Sequence, residues 1–148
     1  MTPTRMNLST SPSPMSDQQG RGTADHTRIL VVTSDKPSGQ GLVRDLRSQG
    51  FEVGTTCRGD EVAPLCEASE FDVVLVDLTL DTLDGFALCR ELGDDPTRPM
   101  VLMVTPPAGD TERLEGFAAG ADDCVSKPVV GREVGARLRA LARRRRRP

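Results

Sequence analysis

The sequence predicts an α/β domain built on a five-stranded parallel sheet with helices on both faces. Two observations carry that prediction. Short, wholly apolar, largely β-branched runs recur at Ile29-Leu30-Val31-Val32, Val73-Val74-Leu75-Val76 and Met100-Val101-Leu102-Met103-Val104. A strand covered on both faces reads as such a continuous run, not as an alternation. Segments with apolar residues at helical spacing separate these runs, and that alternation implies right-handed βαβ crossovers. At 148 residues the chain holds one domain.

The elements follow in order. Residues 1–26 are rich in Ser, Thr, Pro, Gly and Gln and nearly free of large apolar side chains, so they are expected to be a disordered leader. The ordered domain is expected over residues 27–142. After the first strand comes a turn, Ser34-Asp35-Lys36-Pro37-Ser38-Gly39, then a helix through Leu42, Val43 and Leu46 that Gly50 stops. Phe51-Glu52-Val53 is a second, weaker strand. Residues 60–69 read as a helix through Val62, Leu65 and Cys66, with Pro64 tolerable in its first turn. After the third strand, a loop with Asp84-Gly85 enters a helix through Phe86, Leu88 and Leu92. Asp110 is expected to cap a helix through Leu114, Phe117 and Ala118 that ends at Gly120. Cys124-Val125 is a short fifth strand. The last helix places Val130, Val134, Leu138 and Leu141 on one stripe.

Composition narrows the function classes. There is no Trp or Tyr and there are four Phe, too few for an aromatic platform that stacks nucleic-acid bases. The single histidine, His26, excludes chemistry that needs two. No apolar run approaches the ~18 residues of a membrane helix, and no secretory signal is visible, so a cytoplasmic protein with reduced thiols is expected. Cys57, Cys66, Cys89 and Cys124 fit no zinc spacing and are expected to be small buried hydrophobes. The net charge of −3 is unevenly spread: residues 132–148 hold eight Arg and one Glu, leaving the body acidic. The tail at 143–148 suits capping of the last helix or a linker, and no base-reading element accompanies it.

In open parallel sheets, sites form beyond the carboxyl ends of the strands. Those ends are Thr33-Ser34-Asp35, Asp77, Thr105 and the approach to Lys127. A carboxylate, a hydroxyl and an ammonium converging on one rim suit phosphoryl chemistry. The carboxylate can accept the group as an acyl phosphate, and the lysine and hydroxyl can hold its oxygens.

At these residues the chain resembles the receiver domain of two-component response regulators. The matching text is RILVV, FDVVLVDLTLDTLDGFALCREL, MVLMVT, GADDCVSKP and a final amphipathic helix ending ALARR, together covering about residues 28–142. The resemblance implies a flavodoxin-like (βα)5 three-layer sandwich. It makes Asp77 the phosphoacceptor, Thr105 the switch hydroxyl and Lys127 the phosphate-contacting lysine, with a Lys127-Pro128 bond that is often cis. Magnesium would be held by Asp77 and the backbone carbonyl of Thr79. The family's acidic pair after the first strand is replaced by Thr33 and Ser34, and Asp35 lies one residue late, so a weakened Mg2+ site is expected. With fewer carboxylates nearby, Lys127 can pair with Asp77 directly. Asp81 stands where Pro is common, Cys124 where an aromatic switch residue is usual, and Pro106-Pro107 stiffen the loop after Thr105. Asp122 and Asp123 are expected to be turn acids, not ligands.

The function this implies is a stand-alone receiver that takes a phosphoryl group from a sensor histidine kinase or phosphotransfer protein. It would signal to a downstream protein effector, with homodimerisation left open and no enzymatic turnover beyond its own phosphorylation and dephosphorylation. The alternative is a phosphorylation-independent interaction module. A hydrolase of aspartyl-phosphate type fits poorly, because Asp77-Leu78-Thr79 lacks a second aspartate.

Overall fold

The computed structural model describes residues 26–33, 37–79, 84–93 and 95–146. Five strands, β1 (Arg28–Val32), β2 (Glu52–Thr56), β3 (Val73–Asp77), β4 (Met100–Thr105) and β5 (Asp123–Ser126), form one sheet in the order β2-β1-β3-β4-β5. Every pairing is parallel. Five helices connect or follow them: α1 (Pro37–Ser48), α2 (Val62–Ala68, entered through a 3-10 turn at Gly59–Glu61), α3 (Gly85–Leu92), α4 (Asp110–Ala119) and α5 (Gly131–Arg146). The expected flavodoxin-like architecture is the one observed.

Because strand side chains alternate between faces, each apolar run feeds two cores. Ile29, Val31, Val73, Leu75, Leu102 and Val104 pack under α1 and α5 with Leu46, Leu138 and Leu141. Leu30, Val32, Val74, Val76, Val101 and Met103 pack on the other face with Val62, Phe71, Leu88 and Cys89. A parallel strand buried on both sides therefore carries no polar position until its carboxyl end, where Asp77 appears.

Two helices differ from expectation. Gly109, not Asp110, is the N-cap of α4, and Asp110 sits in the first turn, where a carboxylate still opposes the helix dipole. Leu114 and Phe117 face outward; the buried residue of α4 is Gly116, whose Cβ, were one present, would lie 2.8 Å from Met103 Sδ. That close approach to the sheet leaves no room for a large side chain at the contact. Val130 precedes the first turn of α5 and is 55% exposed, so the buried stripe begins at Val134. Of the cysteines, Cys89 and Cys124 are buried as expected, Cys66 is half-buried and Cys57 is exposed.

α5 runs through the arginine-rich segment to Arg146. The Arg145 guanidinium donates to Arg98 O (3.1 Å) and Thr97 O (2.8 Å) and lies 3.4 Å from Asp72 Oδ1. Asp72 in turn accepts from the Arg28 N–H at 2.9 Å. Arg146 donates to Thr27 Oγ1 at 3.3 Å. These two arginines pin the end of α5 to the amino-terminal edge of the sheet, while Arg143 and Arg144 are exposed. No helix among the described residues is long and apolar enough to cross a membrane.

Candidate functional site

The site lies at the carboxyl edge of β3, β4 and β5. The sheet ladder runs one residue beyond the strands: Leu78 N–H donates to Val104 O and Lys127 N–H to Thr105 O, both at 2.9 Å. These bonds fix where the chain leaves the sheet on either side of β4, and so where Asp77 and Lys127 project. The Lys127-Pro128 peptide is cis, as the resemblance implied.

After Asp77 the chain turns back on its own carboxylate. Asp77 Oδ1 accepts both the N–H of Thr79 (2.9 Å) and its hydroxyl (2.6 Å). This is the local side-chain-to-backbone bonding that an acidic residue offers two positions ahead. The Lys127 ammonium stands 3.2 Å from Asp77 Oδ2 and donates to Thr79 Oγ1 at 2.9 Å. Asp77, Thr79 and Lys127 thus form a closed ring. The Asp77 side chain is 14% exposed and that of Lys127 32%, so water screens part of the attraction.

A cleft of about 330 Å³ takes in Asp77 and Lys127 of this ring, its lining made by these two together with Thr33, Leu42, Asp45, Val104 and Val129. Thr33 is buried, and its N–H donates to Thr56 O at 3.0 Å. Thr105 is buried and its hydroxyl donates to Val125 O at 3.3 Å. Asp77, Thr79 and Lys127 are therefore brought into mutual contact, whereas the bond of the Thr105 hydroxyl runs to the neighbouring strand. Ser34 and Asp35, the two remaining residues expected at the metal position, lie outside the described residues, as does Asp81.

Magnesium requires several oxygen ligands near octahedral geometry and is usually held by carboxylates. Here Oδ1 of Asp77 already accepts two hydrogen bonds, Oδ2 faces an ammonium, and Thr33 offers at most a neutral hydroxyl. Among the described residues no group of three His, Cys, Asp or Glu side chains converges closely enough to hold a metal ion. Among the described residues, Asp77 is thus the one carboxylate named for the metal position, and it is already paired, an arrangement that suits weak cation binding at most.

The other acids of these segments hold the fold, and two of them, Asp122 and Asp123, stand at the start of β5, the opposite edge of the sheet from Lys127. Asp84 caps α3, its Oδ1 accepting from Phe86 N–H and Ala87 N–H at 3.1 Å each. Asp122 accepts from Val101 N–H (2.8 Å) and pairs with Arg98. Asp123, in β5, pairs with Arg137, whose guanidinium it holds above its ordinary pKa. Cys124 is buried, and burial, reinforced by Asp123, pushes its thiol up to about 11. A small neutral group therefore fills the position where the family usually carries an aromatic ring.

Sequence reasoning assigned Thr79 only a backbone carbonyl and missed its hydroxyl. The signal was present in the chain: the same Asp-x-Thr spacing recurs at Asp95-Pro96-Thr97, where Asp95 Oδ1 accepts the Thr97 N–H and hydroxyl at 2.8 Å each. Those two bonds hold the Asp95 carboxyl below its ordinary pKa. Asp45 was also missed, because a carboxylate on the flank of a helix carries no local mark of what lies across from it.

Comparison with known proteins gives a match over residues 29–139 to the family model described as the response regulator receiver domain. The transcriptional regulatory protein BaeR of Escherichia coli is 38% identical over 117 residues, which cover 79% of this chain and 48% of that protein. The chain spans about half the length of the curated relatives it matches. A putative response regulator from Chloroflexus aurantiacus superposes with a TM-score of 0.73 at 25% identity, covering 80% of this chain and 98% of that one. The receiver domain of the sensor histidine kinase PA1611 from Pseudomonas aeruginosa, solved with magnesium coordinated in its active-site cleft, superposes with a TM-score of 0.68 at 28% identity. It covers 79% of this chain and 98% of its own.

Proposed function

The chain belongs to the response regulator receiver family, and from that premise we propose that Asp77 accepts a phosphoryl group from a sensor histidine kinase or a phosphotransfer protein. The observation that carries this reading is the Asp77 carboxylate at the end of β3 with an ammonium 3.2 Å from Oδ2. In the transfer, Oδ2 attacks the phosphorus of a phosphohistidine. The new O–P bond forms as the P–N bond breaks, and its electron pair stays on the imidazole. Lys127 then moves from the carboxylate to the oxygens of the acyl phosphate, where its charge opposes theirs. Thr105 would exchange Val125 O for a phosphoryl oxygen. Magnesium supplies charge neutralisation where a receiver holds it; this chain is proposed to bind it weakly, and no step here depends on it.

The signal would pass to a protein partner through the face made by α4, β5 and α5. Leu114 and Phe117 of α4 and Val130 just before α5 are exposed large apolar side chains. With Cys124 at the usual aromatic position, the response of that face to phosphate would not use a ring swing. A second reading, a module that acts without phosphate, is supported by the same ring, which already pairs Asp77 in the unphosphorylated protein.

The test is intact mass after incubation with acetyl phosphate, on the parent and on Asp77→Asn. A gain of about 80 Da in the parent alone supports acceptance on Asp77. No gain from acetyl phosphate or from a phosphorylated kinase supports the phosphate-free module.

A further inference from the structure

The last two turns of α5 carry more positive charge than the fold uses. Arg145 is taken up by Thr97, Arg98 and Asp72. Arg143 and Arg144 are exposed, and among the described residues no acid pairs with either. Arg139, Arg143 and Arg146 stand at i, i+4 and i+7, so they form one stripe along the helix. The Arg139 guanidinium lies over the Phe51 ring, 4.7 Å from its centroid, and donates to Gln49 O at 3.1 Å. Arg146 donates to Thr27 Oγ1 at 3.3 Å, and Asp72, 4.0 Å from its Nε, already faces Arg145 and the Arg28 N–H. A carbonyl and a hydroxyl fix a guanidinium in place without cancelling its charge. At the carboxyl end of α1, the exposed Arg47 donates to Val53 O at 3.0 Å and brings a fourth guanidinium to the same turn. The acids of α1 and α5 lie toward the other end of α5: Asp45 crowds against Gly131, and Glu133 pairs with Arg137.

We propose that this arginine stripe binds the phosphate backbone of nucleic acid without reading its bases. Guanidinium groups present their donors in a planar fork that matches phosphate oxygens two at a time, and a fixed helix holds them at set intervals. With a rise of about 1.5 Å per residue, Arg139 to Arg146 spans about 10 Å. One strand of a duplex presents a phosphate about every 3.4 Å along the axis, so the stripe faces about three of them. The carboxylates of an acidic peptide move with a flexible chain and hold no such interval. The rest of the molecule is acidic, so a polyanion meets it arginine end first. The stripe lies at the amino-terminal edge of the sheet, opposite Asp77, and is independent of the acceptor reading.

The experiment is fluorescence anisotropy of an end-labelled DNA duplex of about 20 base pairs, titrated with the full chain at about 50 mM and about 200 mM NaCl. Three phosphate contacts predict an affinity about fortyfold weaker at the higher salt, and a duplex of shuffled sequence should bind equally well. Arg143→Gln removes one exposed charge from the middle of the stripe. It is expected to bind about tenfold more weakly at the lower salt, with a salt slope smaller by about 0.9. Arg143→Lys keeps the charge and should keep the parent's slope. Arg132→Gln, exposed at the other end of α5, should stay within about twofold of the parent. Circular dichroism checks that each variant is folded. No duplex binding by the parent at the lower salt overturns the proposal, as does an Arg143→Gln protein that behaves like Arg132→Gln. Tighter binding to polyglutamate, or to vesicles of phosphatidylglycerol and phosphatidylcholine, than to the duplex in the same buffer assigns the stripe to another polyanion and also overturns it.

Discussion

Arg145→Ala tests the reading of the arginine-rich end of α5 as part of the fold. The Arg145 side chain is 13% exposed, holds the carbonyls of Arg98 and Thr97 at 3.1 and 2.8 Å, and faces Asp72, itself 13% exposed, at 3.4 Å. Each charge-assisted bond to a carbonyl contributes about 1 kcal/mol net, and removing the cation beside a partly buried carboxylate costs about 1 more. Water can replace part of this at the exposed Thr97 turn, so the expected loss is about 2 kcal/mol. With a slope of about 1–3 kcal/mol/M, the urea midpoint should fall by about 1 M. Arg145→Met, which keeps much of the aliphatic stem, should lose nearly as much, because the contribution is polar. Arg143→Ala and Arg144→Ala, both exposed, should stay within about 0.5 kcal/mol of the parent. An Arg145→Ala midpoint equal to those two controls would refute the clamp and return the whole run to a solvated tail.

Three further outcomes follow from how deeply individual groups are buried. Burial pushes the thiols of Cys66 and Cys124 above the ordinary thiol range, up to about 11. The unfolded chain therefore ionises first, and stability that is complete below pH 9 should decline as pH rises toward 11. A urea series across that window should flatten in Cys66→Ala and Cys124→Ala, and at pH 7.5 iodoacetamide should label the exposed Cys57 well before Cys89 or Cys124. At the α4–sheet contact, Gly116→Leu would push side-chain atoms into Met103 and Cys124, and thermal unfolding should show a loss of about 2–3 kcal/mol despite the better helix propensity of leucine.

What the residues by themselves determined was the sheet and its rim. The runs at residues 29–32, 73–76 and 100–104 are apolar throughout because both faces of those strands are covered, and that demand is local enough to be written in four or five adjacent letters. The candidates Asp77, Thr105 and Lys127 were legible for the same reason: each stands at or just past a strand's carboxyl end, where an apolar run stops. Helix faces were less legible. Leu114 and Phe117 read as core by spacing, but the approach of α4 to Met103 admits only Gly116, and such a distance is set by two elements together. Tertiary structure alone decided how the rim is wired. Thr79 meets Lys127 across 48 residues and Arg145 meets Asp72 across 73, and in neither case does an adjacent residue announce the partner. Periodicity reports whether a position faces water or core. Which charged group it meets there depends on how the parallel crossovers stack β3, β4 and β5 side by side and lay α5 back along the sheet.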